Sequence, residues 1–169
     1  YQIENASIAI RTTEELSNNP INATMKQCNN ETIKEENIRL GLMNAFIPGR
    51  FEIVSRKPLV ILDGAHNPDK MRALVGSIKT IYPNKKIIVI VAIKDDKNAK
   101  EMLEILLPIC REMIFTGYKI KADQGIVKSY KPKKLLNLFL PIGITCKANV
   151  ISDPKKSLEL AIKQVNQND

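Results

Sequence analysis

The stretch that most constrains this chain is LVILDGAHNPDKM, from Leu59 to Met71. The apolar run Leu59–Leu62 suits a strand buried on both faces of a sheet. It ends at Asp63, a carboxylate placed where such a strand leaves the core. Gly64 and Ala65 let the backbone turn without a bulky side chain in the way. His66, the only histidine in the molecule, follows. Asn67 and Pro68 read as a helix N-cap and a first helical residue that has no N–H to lose. Met71, Leu74, Val75, Ile78 and Ile81 then recur on one stripe at helical spacing. In open α/β sheets ligands bind in the crevice at the carboxyl ends of such strands, and a helix N-terminus favours anions.

The rest of the chain repeats this alternation. Phe51–Val54 reads as a strand, and Ile87–Ile93, the most hydrophobic run, is expected to be a central parallel strand. Ala99, Met102, Leu103, Leu106 and Ile109 form the next helical stripe, and Glu112–Phe115 a short strand. Lys134–Phe139 suggests a short helix and Ile144–Lys147 another strand. Asp153 and Pro154 open a last helix with Leu158, Ala161, Ile162 and Val165 inward. The expected fold is therefore α/β: a Rossmann-like, mostly parallel sheet with helices on both faces. Thr116–Lys131 is a long polar stretch, a candidate functional loop. Ahead of all this, Gln2–Leu16 reads as a helix with Ile3, Ala6, Ile10 and Leu16 on its apolar face. Thr32 and Glu35 have capping-box spacing for a second helix to about Asn44, with Ile33, Leu40 and Met43 inward. The texture changes at Pro48, which divides residues 1–47, the helical tail of one domain, from 48–169, a second domain.

Composition excludes several classes. No apolar run approaches the ~18 residues of a membrane span, and YQIENASIAIRTTEE is neither a signal nor a transit peptide. Cys28, Cys110 and Cys146 are widely spaced with no C-x-x-C, so they suggest neither a zinc site nor a disulfide framework, and free thiols fit a reducing cytoplasm. The formal charge of +8 would suit a polyanion partner. The lysines are scattered apart from Lys131, Lys133 and Lys134, and aromatics are few, so a solvated basic surface rather than a nucleic-acid site is expected.

PGRFEIV, followed shortly by ILDGAHNP, resembles the signature of the folylpolyglutamate synthase and dihydrofolate synthase family, in the Mur ligase group of ATP-dependent amide ligases. YQIENASIAI is similar to that family's Gln-x-x-Asn-Ala stretch in its central, nucleotide-binding domain. The resemblance implies that residues 1–47 are the end of that domain and 48–169 a Mur ligase C-terminal domain short of its last strand. The chain would then be a fragment, inactive alone, without the family's phosphate-cradling loop, carbamylated lysine and magnesium ligands. The implied reaction uses ATP and Mg²⁺ to turn a folate carboxylate into an acyl phosphate, which the amine of L-glutamate attacks. The C-terminal domain closes over the nucleotide, and the enzyme would be a cytoplasmic monomer. Two alternatives remain. One is a Mur-type ligase acting on a cell-wall precursor, although those enzymes usually carry Tyr or Phe where this chain has Gly64. The other is a non-catalytic binding or regulatory domain.

The family motif implies roles for individual residues. Arg50 matches the arginine of PGR and would reach the nucleotide phosphates as the catalytic residue; otherwise it is an exposed arginine at a domain boundary. Asp63 would hold the ribose hydroxyls, or else serve as a turn aspartate. His66 matches a family histidine near nucleotide and glutamate and is assigned to binding, since no partner carboxylate makes it a general base. Asn67 is a nucleotide contact or a helix cap. Asp95, Asp96 and Lys97 resemble, with a shift, the family's Asp-Lys-Asp stretch, and acidic pairs can bind Mg²⁺, but a loop-shaping role is expected. Lys121 stands where the family commonly has arginine, keeping the charge without the bidentate geometry. Cys110 and Cys146 are expected to be core thiols, and no metal ligand is assigned in this chain.

Overall fold

A computed structural model of the chain describes residues 2–18, 34–123, 125–142 and 146–165. They fall into two units, Tyr1–Pro48 and Gly49–Asp169. The first holds helices α1 (Gln2–Asn18) and α2 (Glu35–Asn44). In α1 the hydroxyls of Thr12 and Thr13 donate back to the carbonyls of Ile8 and Ala9. The side chains of Ile3 and Leu16 are outside the described residues. So are Thr32 and Ile33; the N-cap of α2 is Lys34, whose side chain makes no capping bond. Leu40 and Met43 do not face inward, being 49% and 73% exposed.

In the second unit, β1 (Glu52–Arg56) and β2 (Leu59–Leu62) form an antiparallel hairpin across the Lys57–Pro58 turn. This corrects the expectation for Leu59–Leu62. The turn folds the chain back immediately, so the ladder partner of β2 is the preceding strand, and its four residues are half-buried except for exposed Leu62. An irregularity between Ile53 and Ser55 leaves Val54 turned outward.

Helix α3 (Pro68–Ile81) starts as expected, with Asn67 accepting a bond from the Lys70 amide and Pro68 in the first turn. Met71, Val75 and Ile78 are buried, but the stripe fades before Ile81, which is exposed. There follow β3 (Ile87–Val91), α4 (Ala99–Leu106), a 3-10 turn (Leu107–Ile109), β4 (Cys110–Phe115), the antiparallel pair β5 (Lys119–Ala122) and β6 (Gly125–Lys128), α5 (Pro132–Phe139), β7 (Lys147–Val150) and α6 (Pro154–Gln164).

The parallel sheet has the order β3–β4–β7. Its central member is β4 rather than β3, because β4 pairs on both sides whereas β3 pairs only with β4 among the described residues. A long apolar run reports burial, not place in the ladder. Alternation along β4 builds both faces of the sheet. Met113 and Phe115 pack with Met71, Val75, Met102, Leu103, Leu135 and Phe139 of α3, α4 and α5, and the Phe115 and Phe139 rings meet edge to face at 5.4 Å. Buried Glu112 turns away from that core. It accepts a bond from Asn149 at 2.7 Å and, with the Gln164 amide turned to face it, one from α6 at 3.1 Å. Helices thus cover both faces.

Helix α6 begins at its Asp153 cap as expected but packs on a different stripe. Ser157 and Ala161 are buried while Leu158 and Ile162 are 40% and 42% exposed. The Ser157 hydroxyl, close to the carbonyls of Ile151 and Asp153, draws that face inward. The strand expected at Ile144–Lys147 lies later, at Lys147–Val150, and 144–145 are outside the described residues. The polar stretch Thr116–Lys131 is no open loop, since it contains the β5–β6 hairpin, tied to the main body by a bridge from Ser129 to Lys94. Among the described residues no helix is long and apolar enough to cross a membrane.

Amide hydrogen exchange should find Met113–Phe115 the slowest group and Lys119–Ala122 far faster, since β5 is exposed at every position. Phe139→Ala should cost about 3–5 kcal/mol in urea unfolding. A cost below about 1 kcal/mol would show that the Phe115–Phe139 contact does not anchor the core.

Candidate active site

The site begins with a backbone that L-residues resist. Gly49 has φ +69° and Phe51 φ +48°, so the PGRF turn passes twice through the left-handed region, once at a bulky residue. Asp63 holds it there. Because β1 and β2 are antiparallel, with Glu52 opposite Leu62, the first residue after β2 arrives beside the turn that precedes β1. Oδ2 of Asp63 accepts the Phe51 amide at 2.8 Å, and Oδ1 accepts the Ala65 amide at 2.8 Å. Between them the Gly64 amide donates to the Gly49 carbonyl at 2.6 Å. Gly64 suits this close approach rather than a special φ, for a Cβ there would lie 3.3 Å from the Gly49 oxygen, a tight contact. Oε2 of Glu52 closes the turn by accepting the Gly49 amide at 2.8 Å.

Beyond this clasp the loop runs into α3. His66 is exposed, with Nδ1 2.9 Å from the Gly64 carbonyl and Nε2 3.2 Å from the ammonium of Lys70. The first contact needs a proton on Nδ1, which leaves Nε2 as the acceptor from Lys70. Asn67 spends its side-chain oxygen on the cap. Arg50 lies exposed on the turn. One turn into α3, Arg72 bridges Asp69 and Glu101, joining the starts of α3 and α4. Arg50, Asp63, His66 and Asn67 therefore gather on one loop pair. Glu52 and Lys70 are additional members that the motif did not single out. Glu52, three residues after Gly49, has the spacing of a side chain reaching back to a free amide, the one signal that could have found it.

The acidic loop after β3 is differently built. Lys94 lies 2.8 Å from Asp96, Lys97 3.7 Å from Asp96, and Lys128 of the hairpin 3.6 Å from Asp95. The Lys94 ammonium, through its hydrogen bond, holds the Asp96 carboxyl below the usual range, and the carboxylate raises Lys94 in return. Each acid faces a lysine, and no group of three candidate metal ligands occurs among the described residues. Both acids of the loop are thus engaged by lysines. Lys121 is exposed on β5, and Lys134 stands 4.8 Å over the Tyr130 ring.

A family model described as the Mur ligase, glutamate ligase domain matches residues 49–169, beginning at the glycine that opens this turn. The chain belongs to the Mur ligase family. Among curated relatives, it is 31% identical over 118 residues to the dihydrofolate synthase/folylpolyglutamate synthase of Bacillus subtilis, covering 70% of this chain and 25% of that protein. The like-named protein of Buchnera aphidicola subsp. Acyrthosiphon pisum is 37% identical over 132 residues, covering 78% of this chain and 29% of the relative. Among solved structures, the bifunctional folylpolyglutamate synthase/dihydrofolate synthase of Yersinia pestis complexed with AMPPNP and Mn ion superposes with a TM-score of 0.66 at 27% identity, over 82% of this chain and 31% of that one. The chain thus spans about a quarter to a third of the length of these relatives.

Two outcomes test the geometry of this Mur ligase domain. Asp63→Asn should destabilise it nearly as much as Asp63→Ala, by about 1–3 kcal/mol, since one backbone amide would face the new NH₂ group instead of an acceptor. Equal stability of wild type and Asp63→Asn in urea melts would break the clasp. Carboxyl NMR should place the Asp96 midpoint below the ordinary aspartate value, with Lys94→Ala moving it back up. The pair's stabilisation is complete above that ordinary value and fades as pH falls through the lowered one. It remains small because both side chains are solvent-exposed.

Proposed function

We propose that this chain is the closing domain of an ATP-dependent ligase that adds L-glutamate to a folate, by way of an acyl phosphate. The observation that carries this reading is the clasp between the PGRF turn and the DGAHNP loop, which positions Arg50 and Asp63 together at the start of α3 in a Mur ligase domain. The names of the Bacillus and Yersinia proteins support the substrate class.

The residues suit a nucleotide. Each oxygen of Asp63 accepts one amide hydrogen bond and keeps a second lone-pair direction for a ribose hydroxyl. Arg50 carries a planar fork of donors into solvent, suited to a phosphate approaching from a facing domain. Phosphoryl transfer spreads negative charge over equatorial oxygens, and a positioned guanidinium stabilises that charge in the transition state. His66, with Nε2 3.2 Å from the Lys70 ammonium, serves binding in this role. Asn67 acts mainly through the cap that orients α3. ATP brings the transferable phosphoryl group. Magnesium is assigned no ligand among the described residues. A reducing cytoplasm suits the free thiols Cys110 and Cys146.

The test is a domain graft. Residues 49–169 replace the matching segment of the Bacillus subtilis relative, and ADP release is measured with ATP, Mg²⁺, glutamate and a reduced folate. Glutamate-dependent turnover is expected. Arg50→Ala in the graft should lower kcat by about a hundredfold or more, and Asp63→Ala should lower kcat as well as raise the KM for ATP, since it also releases the turn that carries Arg50. A folded graft without turnover, or full activity of Arg50→Ala, would overturn the reading. Calorimetry on the 169-residue chain itself should give an ATP dissociation constant of about 1 mM or weaker, since a few partly solvated contacts must offset the cost of immobilising the ligand.

A further inference from the structure

The sulfurs of Cys110 and Cys146 lie 2.7 Å apart. Cys110 opens β4 and Cys146 immediately precedes β7, next to the first paired position of the ladder, Glu112 with Lys147. Closing the sulfurs to a bond of about 2.0 Å needs a shift of under about 1 Å, within reach of side-chain rotation. The two thiols also differ in access. Cys110 is 7% exposed, whereas Cys146 is half-buried and reaches solvent.

We propose that Cys110 and Cys146 form a dithiol–disulfide couple, a site of reversible oxidation that staples β4 to β7. The oxidant is a small disulfide of the glutathione class. The Cys146 thiolate attacks one sulfur of that disulfide and expels the other as a thiolate, leaving a mixed disulfide on Cys146. Cys110 then loses its proton and attacks the Cys146 sulfur, expelling the second small thiolate. Two protein thiols lose two electrons and two protons, and one small disulfide becomes two small thiols. Burial, and the hydrogen bond with Cys146, push the Cys110 thiol far above its ordinary range. The order of attack follows: the accessible sulfur reacts first and the buried one resolves it, helped by an effective concentration that no external thiol matches. The staple sits at the amino ends of the parallel strands, whereas β2 delivers Asp63 at its carboxyl end. Its readout is therefore independent of the ligase reading.

The experiment uses the chain carrying Cys28→Ser, so that the third cysteine takes no part. Oxidised glutathione is added, and thiols are counted with peptide mass spectrometry. The expected product is a monomer in which the peptides bearing Cys110 and Cys146 are joined and together two hydrogens lighter, reversed by dithiothreitol. Adding Cys110→Ala should stop the reaction at a glutathione adduct on Cys146. Adding Cys146→Ala should leave Cys110 unmodified over the same time. A lasting adduct on Cys146 beside a free Cys110 in the Cys28→Ser chain, disulfide-linked dimers, or two thiols that stay unreacted would each overturn the proposal.

Discussion

The arrangement of the second unit's candidate site depends on one carboxylate. Asp63 accepts two backbone amides, one from each of two turns separated in sequence by the whole β1–β2 hairpin. A charged acceptor makes stronger hydrogen bonds than a neutral one, enough to help hold Phe51 in a backbone conformation that costs of order 1–3 kcal/mol. Gly64 contributes by what it lacks, since its bare Cα lets the two chains approach to 2.6 Å through an amide–carbonyl bond. Preorganisation of this kind leaves Arg50 on a fixed turn instead of a wandering loop.

The same local logic explains what was legible in the sequence. Asn67–Pro68 and Asp153–Pro154 were readable as helix starts because capping is decided within a few residues, and both side chains accept the expected amide. Met102, Leu103 and Leu106 were readable as an inward stripe because burial on one side of a helix imprints its period. The gathering of Arg50, Asp63, His66 and Asn67 followed from two short motifs. What was not legible depended on distant partners. Leu59–Leu62 has the composition of a central strand, yet its neighbour is set by the Lys57–Pro58 turn. The rank of β4 above β3 follows from pairing with β7, which no local pattern encodes. In α6 the polar Ser157 is buried in place of Leu158, because its hydroxyl finds the Ile151 carbonyl.

The basic character of the chain also resolves in structure. Lys94, Lys97 and Lys128 are engaged with Asp95 and Asp96, and Lys134 with an aromatic ring. These lysines surround the junction between the acidic loop, the β5–β6 hairpin and the start of α5, where the Tyr130 amide donates to the Ile93 carbonyl at 2.8 Å. Exposed ion pairs contribute little each, so the backbone bonds, not the charges, fix the junction.

The order β3–β4–β7 carries a consequence for how the domain is made. The two hairpins join residues that are near neighbours in the chain, whereas β4 meets β7 only after the intervening hairpin and α5 have been laid down, as in the pairing of Phe115 with Val150. Contacts between sequence-distant residues require loop-closure entropy to be lost before they stabilise anything, and topologies rich in them fold slowly. During synthesis the β1–β2 clasp can therefore settle early, while the apolar flank of β4 waits for a partner not yet emerged from the ribosome. In that interval an unpaired strand edge is open to association with other chains, so a strand deeply buried in the finished domain keeps an open edge until late in its production.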